Sequence, residues 1–211
     1  MQPSKPTYLY HITDHKNLKA ISTKGLLSKT AMALQSNDYI NIAYESVQGR
    51  RANIEISCGK KGELHDYVPF YFAPRSPMLY CIEKQLIEGY SGAQRDIIYL
   101  VTTVETIEKM KLSYVFTDGH AIMNFTQFFD DLKYMDKIDW PLMESKYWFA
   151  TLEDPDRKRR RQAEFLVYQV VPWAAFSYIA VYDEKMKQTV TQLLENCPYK
   201  PKSMINRPCY Y

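Results

Sequence analysis

The sequence predicts a folded α+β protein, and three observations support this class. The 211 residues are 46% apolar and 24% charged, which is typical of globular proteins and excludes a disordered chain. Short β-rich apolar runs occur between segments with helical spacing of their apolar residues. The 7 glycines and 11 prolines are too few for a collagen-like or low-complexity chain. With no repeat and no linker in the sequence, we expect a single domain over residues 1–211.

The first elements are a strand followed by a helix. Residues 8–12 form a β-rich run, and Thr13 or Asp14 can cap the helix that follows. Gly25 is placed to end this helix. The polar, weakly periodic stretch 35–51 predicts a loop with room for a short helix.

Further strands are predicted where apolar residues cluster or alternate. Pro69 lies in one of these runs and cannot donate a ladder hydrogen bond, so it predicts an edge or bulged strand. The longest run is apolar on both alternating faces, which predicts a central strand. These strands are expected at 53–57, 67–72, 96–101, 114–116, 162–171 and 177–181.

The remaining segments are predicted to be helical, irregular or extended. Thr103 and Asp183 are suitable N-caps for two of the helices. We expect an aromatic, irregular segment at 138–150 and an extended, proline-containing tail at 198–211. The helices are expected at 78–86, 103–110, 124–134 and 183–196.

Several classes of protein are disfavoured by the sequence. No apolar run approaches the roughly 18 residues of a membrane span, and the first six residues lack the apolar stretch of a secretion signal. We therefore expect a cytoplasmic protein without a membrane segment. The four cysteines are scattered and the four histidines lack zinc-ligand spacing, so we expect neither a disulfide framework nor a bound metal.

Positive charge is concentrated in one run of the sequence. The formal net charge is only +3, but residues 157–161 are all basic, and shorter basic pairs occur at 50–51 and 60–61. From the run alone, a solvated surface and a phosphate-binding site are equally consistent readings.

Glu164 is the residue most indicative of chemistry. It lies at the start of an apolar strand, where an unpaired carboxylate would be costly to desolvate. The alternative is that the strand start is near the surface and Glu164 pairs with an arginine of the basic run. His11 and Thr13 share one face of the first strand and could hold a ribose, although each could equally be structural. Arg51 could be an ordinary surface arginine.

Together, these fragments resemble the ADP-ribosyltransferases. The relevant residues are His11-x-Thr13, an arginine near position 51, and Gln162-x-Glu164 at the start of a late strand. A longer segment, residues 65–80, reads HDYVPFYFAPRSPMLY and resembles the DarT family of DNA ADP-ribosyltransferase toxins. The resemblance extends over nearly the whole chain, and the long segment is its most specific part.

The resemblance implies a fold and a site. The fold would be an ADP-ribosyltransferase-like split sheet around an NAD cleft, with NAD consumed as a co-substrate and no metal. Glu164 would hold the nicotinamide ribose and stabilise its oxocarbenium-like state. Arg51 would contact NAD and assist loss of the acceptor proton, indirectly because arginine is a poor base. His11 and Thr13 would bind the adenosine side, and Gly49 would let the backbone approach NAD.

The resemblance also implies an acceptor and a partner. The acceptor would be a base in single-stranded DNA, thymine N3 as our first choice and guanine as the alternative. A protein or RNA acceptor, or a non-catalytic single-strand-binding module, remains open. The partner would be a macrodomain antitoxin of the DarG type, and we expect a monomer. Residues predicted to contact DNA are Tyr71, Arg75, Met78, His120, Tyr147, Trp148, Arg157 and Arg159.

Overall fold

A computed structural model describes residues 6–35 and 39–211, and an eight-stranded sheet is its main feature. The strand order is β10-β9-β4-β1-β3-β7-β5-β6, and all neighbours are antiparallel except β9 and β10. Strands β2 and β8 form a separate antiparallel pair. The strands are β1 (Tyr8–Asp14), β2 (Leu26–Leu27), β3 (Tyr67–Tyr71), β4 (Ile97–Thr103), β5 (Tyr114–Thr117), β6 (Phe128–Phe129), β7 (Glu164–Tyr168), β8 (Val170–Val171), β9 (Tyr178–Val181) and β10 (Lys202–Ile205).

Short helices cover both faces of the sheet. The α-helices of the described residues are α1 (Leu18–Lys24), α2 (Lys29–Leu34), α3 (Glu45–Arg51), α4 (Pro77–Glu83), α5 (Val104–Lys109), α6 (Trp140–Glu144), α7 (Arg157–Arg160) and α8 (Glu184–Leu193). Short 3₁₀ helices lie at His15–Asn17, Leu64–Asp66, Gln94–Asp96, Leu132–Lys137, Trp173–Ala175 and Arg207–Cys209. In the described part of the chain, no helix is long and apolar enough to cross a membrane.

Strand β4 separates the two main layers of the core. All seven of its residues are buried, and their side chains alternate between the faces of the sheet. Ile98 and Leu100 belong to the cluster that includes apolar residues of α1, α5 and α8. Ile97 and Tyr99 belong to the cluster on the opposite face, with residues of α4. The sheet is therefore covered on both sides at its centre.

The sheet is split between β1 and β3. Strand β1 pairs with β4 over seven residues and β3 pairs with β7 over five, but β1 and β3 pair only at Tyr10 and Tyr71. The Pro69 carbonyl accepts a hydrogen bond from His11 Nδ1 at 2.8 Å, so it points towards β1. In an antiparallel ladder the nitrogen and the carbonyl of a residue face the same side. The nitrogen of Pro69 therefore faces the split, where no ladder donor is required.

This geometry corrects the prediction for Pro69. Strand β3 is neither an edge strand nor bulged, because it lies between β1 and β7 in the sheet order. The proline is tolerated because the split acts locally as an edge. The predicted run 162–171 is also divided in two: Gln169, with φ of 59°, separates β7 from β8.

Most of the predicted caps are confirmed, and four segments differ from their predictions. The segment 138–150, predicted to be irregular, contains α6. Helix α1 ends at Gly25 with φ of 83°, and Thr103 and Asp183 cap α5 and α8 with their side chains. The predicted strand 53–57 is largely irregular, since only Glu55 forms a bridge, and the predicted helix 124–134 instead contains β6, which pairs with β5. The tail at 198–211 is not merely extended, because it supplies β10 and the turn at Arg207–Cys209. Part of the predicted loop 35–51 becomes α3, while residues 36–38 lie outside the described residues.

Candidate active site

A cleft opens where β1 and β3 diverge. Strand β1 contributes His11 and Thr13 to its wall, β3 contributes Tyr71, and β7 contributes its first residue, Glu164. Arg51, the last residue of α3, completes this group from outside the sheet. The split therefore brings together residues that are far apart in the sequence.

Glu164 is buried and has a hydrogen-bonding partner on each carboxylate oxygen. Only 3% of the residue is exposed. Its Oε2 accepts a hydrogen bond from Arg51 Nη1 at 2.8 Å, and its Oε1 accepts one from the Ala121 amide at 3.0 Å. The Glu164 amide donates to Thr117 Oγ1 at 3.0 Å. The carboxylate is thus fixed in orientation, and its ion-pair partner is Arg51 rather than an arginine of the basic run.

Arg51 has an unused donor at the cleft. The residue is 7% exposed, and its Nη2 has no hydrogen-bond partner among the described residues. A buried donor without a partner is costly, so an acceptor on a bound molecule would be favoured there. The neighbouring Arg50 donates to the Ile122 carbonyl at 3.1 Å. This bond connects α3 to the loop whose Ala121 amide binds the Glu164 carboxylate.

Two neutral histidines flank the ion pair. Burial lowers the pKa of His120, and nearby Glu164 opposes that shift only in part. Burial, followed by the charge of Arg51, lowers the pKa of His65, whose Nε2 lies 3.2 Å from Gln48 Oε1. A role for His120 was predicted from the sequence, whereas His65 and Gln48 were not among the predicted site residues. The segment 65–80, which begins with His65, was the one signal in the sequence for His65, and there was none for Gln48.

His11 and Thr13 occupy the β1 side of the cleft. Burial lowers the pKa of His11 to about 4, so its ring is neutral near pH 7. A carbonyl oxygen can only accept, so the contact with Pro69 places the ring proton on Nδ1 and leaves Nε2 as an acceptor. Thr13 Oγ1 accepts a hydrogen bond from Asn17 at 3.0 Å, and Asn17 also binds both backbone groups of Ile40. These contacts fix the wall opposite Glu164.

Gly49 does not line the cleft. It lies on the exposed side of α3, and a Cβ added at this position would meet no described atom within 4 Å apart from its chain neighbours and the backbone of its own helix. The predicted role of Gly49 in a close backbone approach therefore lacks support in this geometry. The residues on α3 that do line the cleft are Val47, Gln48 and Arg51.

Three of the predicted DNA contacts line the cleft, and the others lie outside it. Tyr71, Met78 and His120 line the cleft. Arg75 packs instead over the ring of Tyr211, with its guanidinium carbon 4.7 Å from the ring centroid. Tyr147, by contrast, is 69% exposed.

Trp148 is placed differently from its prediction. It is only 3% exposed, and its indole Nε1 donates to the Tyr211 hydroxyl at 2.6 Å. Its ring also stacks on Phe149, with 4.1 Å between ring centroids. A ring enclosed in this way offers no free face to a base, so Trp148 has a packing role in this structure.

The basic run is largely neutralised or buried. Arg159 pairs with Asp156 at 2.7 Å and with Asp118 at 3.1 Å. Arg160 pairs with Asp154 at 2.8 Å and with Asp139 at 3.0 Å. These pairs explain how consecutive arginines share the short helix α7.

The other members of the run have different surroundings. Arg157 donates to the Tyr147 carbonyl at 2.8 Å, and its ion pair with Asp154 is longer, at 3.8 Å. Arg161 is 3% exposed and donates to the Pro74 carbonyl at 2.7 Å. Lys158 is exposed and forms no ion pair with any described residue. Lys158 is thus the member of the run best placed to meet a phosphate.

Acidic, histidine and cysteine side chains do not cluster as metal ligands in the described part of the chain. No group of three or more of these residues is arranged to hold a metal ion there. The four cysteines are all free thiols.

The comparisons with known proteins agree with the resemblance seen in the sequence. A family model described as ssDNA thymidine ADP-ribosyltransferase, DarT, matches residues 10–211. A DNA ADP-ribosyl transferase from Thermus sp. (strain 2.9) is 38% identical over 209 residues, covering 98% of this chain and 97% of the relative. A DNA ADP-ribosyl transferase-DNA ADP-ribosyl glycohydrolase fusion protein from Thermosipho africanus is 27% identical over 190 residues, covering 89% of this chain and 46% of the relative.

Solved structures show the same fold. Thermus sp. 2.9 DarT in complex with ADP-ribosylated ssDNA matches with a TM-score of 0.93 and 37% identity, covering 100% of this chain and 99% of that chain. Thermus sp. 2.9 DarT in complex with NAD+ matches with a TM-score of 0.87 and 35% identity, covering 100% of both chains. The predicted α+β fold of the ADP-ribosyltransferases is confirmed, and the chain belongs to the DarT family.

Proposed function

We propose that this protein transfers ADP-ribose from NAD to thymine N3 in single-stranded DNA and releases nicotinamide. The observation that carries the proposal is the buried Glu164–Arg51 pair at the split of the sheet. Similarity to DarT structures in complex with NAD+ and with ADP-ribosylated ssDNA supports both substrates. As a member of the DarT family, the protein would act as a toxin.

Glu164 supplies negative charge where the reaction develops positive charge. Breaking the bond between nicotinamide and ribose leaves the sugar carbon electron-poor, so a fixed carboxylate near the ribose lowers the barrier. The carboxylate needs little reorganisation because Arg51 and the Ala121 amide already orient it. It also has remaining lone pairs with which it can accept a hydrogen bond from a ribose hydroxyl.

Arg51 and His120 assist the loss of the proton from the acceptor base. Thymine N3 must lose its proton as the new bond to the sugar forms, and Arg51 cannot take that proton because its guanidinium stays charged. Its free Nη2 can instead stabilise the developing negative charge on the base. His120 is neutral and lines the same cleft, so its imidazole is available to accept the N3 proton.

His11 and Thr13 bind the other end of NAD. The unprotonated Nε2 of His11 can accept a hydrogen bond from a hydroxyl of the adenosine ribose. The Thr13 hydroxyl already accepts from Asn17 and keeps its own proton to donate. The two residues are two positions apart on β1 and therefore face the same side.

The chemistry determines the form of the DNA and suggests the partner. Base pairing would hide thymine N3, so the substrate is single-stranded.

The Thermosipho africanus relative joins a DNA ADP-ribosyl transferase to a DNA ADP-ribosyl glycohydrolase, which supports a DarG-like macrodomain antitoxin as the partner. We further propose that the chain acts as a monomeric, single-domain enzyme in the cytoplasm.

Mass spectrometry of oligonucleotides incubated with the protein and NAD tests the proposal. Thymine-containing single strands should gain one ADP-ribose, whereas strands without thymine and duplexes should not. Glu164→Gln should abolish the transfer, and Glu88→Gln, a change at an exposed glutamate, should leave it intact. Modification of guanine, protein or RNA instead would overturn the thymine assignment, and binding without NAD consumption would overturn the enzymatic one.

A further inference from the structure

We infer that Phe125 is a stacking platform for a base of the single-stranded DNA beside the modified base, and that Arg159 holds the platform in place. This inference rests on the proposed function, because it deepens the description of the DNA acceptor. It concerns a residue that carried no signal in the sequence. It also reassigns Arg159, which the sequence analysis predicted to bind DNA directly.

Phe125 is the unusual residue of the loop between β5 and β6. Its side chain is 63% exposed, although a phenylalanine gains free energy when it is buried. The guanidinium of Arg159 lies over the ring, with its central carbon 5.1 Å from the ring centroid. A cation in this position is attracted to the face of an aromatic ring and keeps it from collapsing elsewhere.

Arg159 is itself immobilised by acids. Its Nε and Nη2 donate to the two carboxylate oxygens of Asp156 at 2.7 and 2.8 Å. Its Nη1 donates to Asp118 at 3.1 Å. Two carboxylates already balance the charge, so little is left to attract a phosphate. The planar group instead forms a fixed support behind the Phe125 ring.

The platform is connected to the catalytic cleft by the loop that carries it. The hydroxyl of Thr126, the next residue, donates to the His120 carbonyl at 2.8 Å. His120 lines the cleft, and the amide of Ala121 binds the carboxylate of Glu164. The exposed ring of Phe125 thus lies in the same loop as His120, which forms part of the cleft wall. When the target base of a DNA strand enters the cleft, the neighbouring bases lose it as a stacking partner. An exposed aromatic ring beside the cleft can take its place.

Stacking and phosphate contact can be separated by their dependence on salt. Loss of a stacked aromatic weakens single-strand binding by about 5- to 150-fold without changing the salt slope. Loss of one phosphate contact lowers the slope of log K against log salt by about 0.7 for a single strand. Changes at Phe125 and Arg159 should weaken binding without changing the salt slope. A change at Lys158, which forms no ion pair with a described residue, should lower the slope.

The experiment measures oligothymidine binding by fluorescence anisotropy at several salt concentrations. Phe125→Leu should weaken binding by about 5- to 150-fold with an unchanged salt slope. Phe125→Trp, which keeps an aromatic ring, should bind as tightly as the wild type. Arg159→Gln should weaken binding with the same unchanged slope, whereas Lys158→Gln should lower the slope. Tyr8→Leu, which removes an exposed ring at the start of β1, is the matched control and should bind as the wild type does.

The outcomes distinguish this inference from the proposed function. Wild-type protein that modifies thymine, together with a Phe125→Leu variant of equal affinity and equal KM for DNA, overturns the platform alone. A reduced salt slope in Arg159→Gln also overturns it, because Arg159 would then contact a phosphate. Wild-type protein that neither binds nor modifies the oligonucleotide overturns the proposed function and the platform with it. An unchanged KM for NAD in Phe125→Leu shows that the cleft itself is intact.

Discussion

Replacing Glu164 by glutamine should destabilise the protein as well as inactivate it. Glutamine keeps the shape of the side chain and an oxygen that can accept from the Ala121 amide. It removes the negative charge that lies 2.8 Å from Arg51. The guanidinium is then left in a buried position without a counter-ion. The free energy of unfolding should fall because the folded state retains an uncompensated charge.

The size of the effect follows from the burial of the pair. The side chains of Arg51 and Glu164 are only 9% and 4% exposed, so solvent does not screen the charge that remains. Breaking a buried ion pair by removing one partner costs about 3–5 kcal/mol. For a chain of this length, that loss corresponds to a fall in Tm of about 6–20 °C. Removing both charges should cost less than the sum of the two single changes.

A double-mutant cycle in urea measures this coupling. The cycle compares wild type, Glu164→Gln, Arg51→Met and the double variant. Glu184→Gln is the control, because Glu184 lies 3.6 Å from Lys187 in a pair that is 58% and 40% exposed. This control should lose less than about 1 kcal/mol. A Glu164→Gln variant as stable as the wild type, or strictly additive changes in the cycle, would refute the argument that the ion pair stabilises the fold.

Three further predictions concern the surroundings of the site. Because the pKa of His11 in the folded state is about 4, below its ordinary value of 6.5, its contribution to stability is present above pH 6.5 and is lost as the pH falls towards 4. An NMR titration should find its ring neutral at pH 5.5, and a midpoint near 6.5 would contradict this. Tyr211→Phe leaves the buried indole donor of Trp148 unpaired and should lower the free energy of unfolding by about 1–3 kcal/mol, measured in urea, whereas an unchanged urea midpoint would argue against the bond. Pro69→Ala should change stability by no more than about 1 kcal/mol, because its new amide faces the split, and a larger loss in thermal unfolding would show that the proline is required.

The sequence predicted those parts of the fold that depend on local interactions. Gly25 can adopt the positive φ that ends α1, and Thr103 can cap α5 with its own hydroxyl, so each signal is contained within a few residues. The errors arose where pairing with a distant segment decides the conformation. Phe129 stacks on Phe116 of β5, with 5.4 Å between ring centroids, and this pairing replaces the helix predicted at 124–134. Helical spacing alone carries no information about such a partner.

Several residues that line the cleft were predictable from the sequence, but the contacts between them were less so. Glu164 was identified from the cost of burying a carboxylate, and the structure does bury it. Its partner Arg51 is 113 positions away, and only the resemblance to a family brought the two together before the structure did. The surroundings of Trp148 and Arg159 could not be predicted from the sequence. An aromatic residue near a basic run suggests DNA contact, but burial and pairing with aspartates depend on tertiary structure.

Pro69 is compatible with the opening of the cleft and also sets the state of a histidine within it. Pro69 offers no donor towards β1, and none is required there, because the ladder between β1 and β3 is limited to Tyr10 and Tyr71. Its carbonyl, left without a ladder partner, is taken by His11 Nδ1 at 2.8 Å. That bond fixes the tautomer, and burial keeps the ring neutral, so Nε2 remains an acceptor. The same interruption of the sheet that creates room for a nucleotide therefore also prepares one of the groups that can bind it.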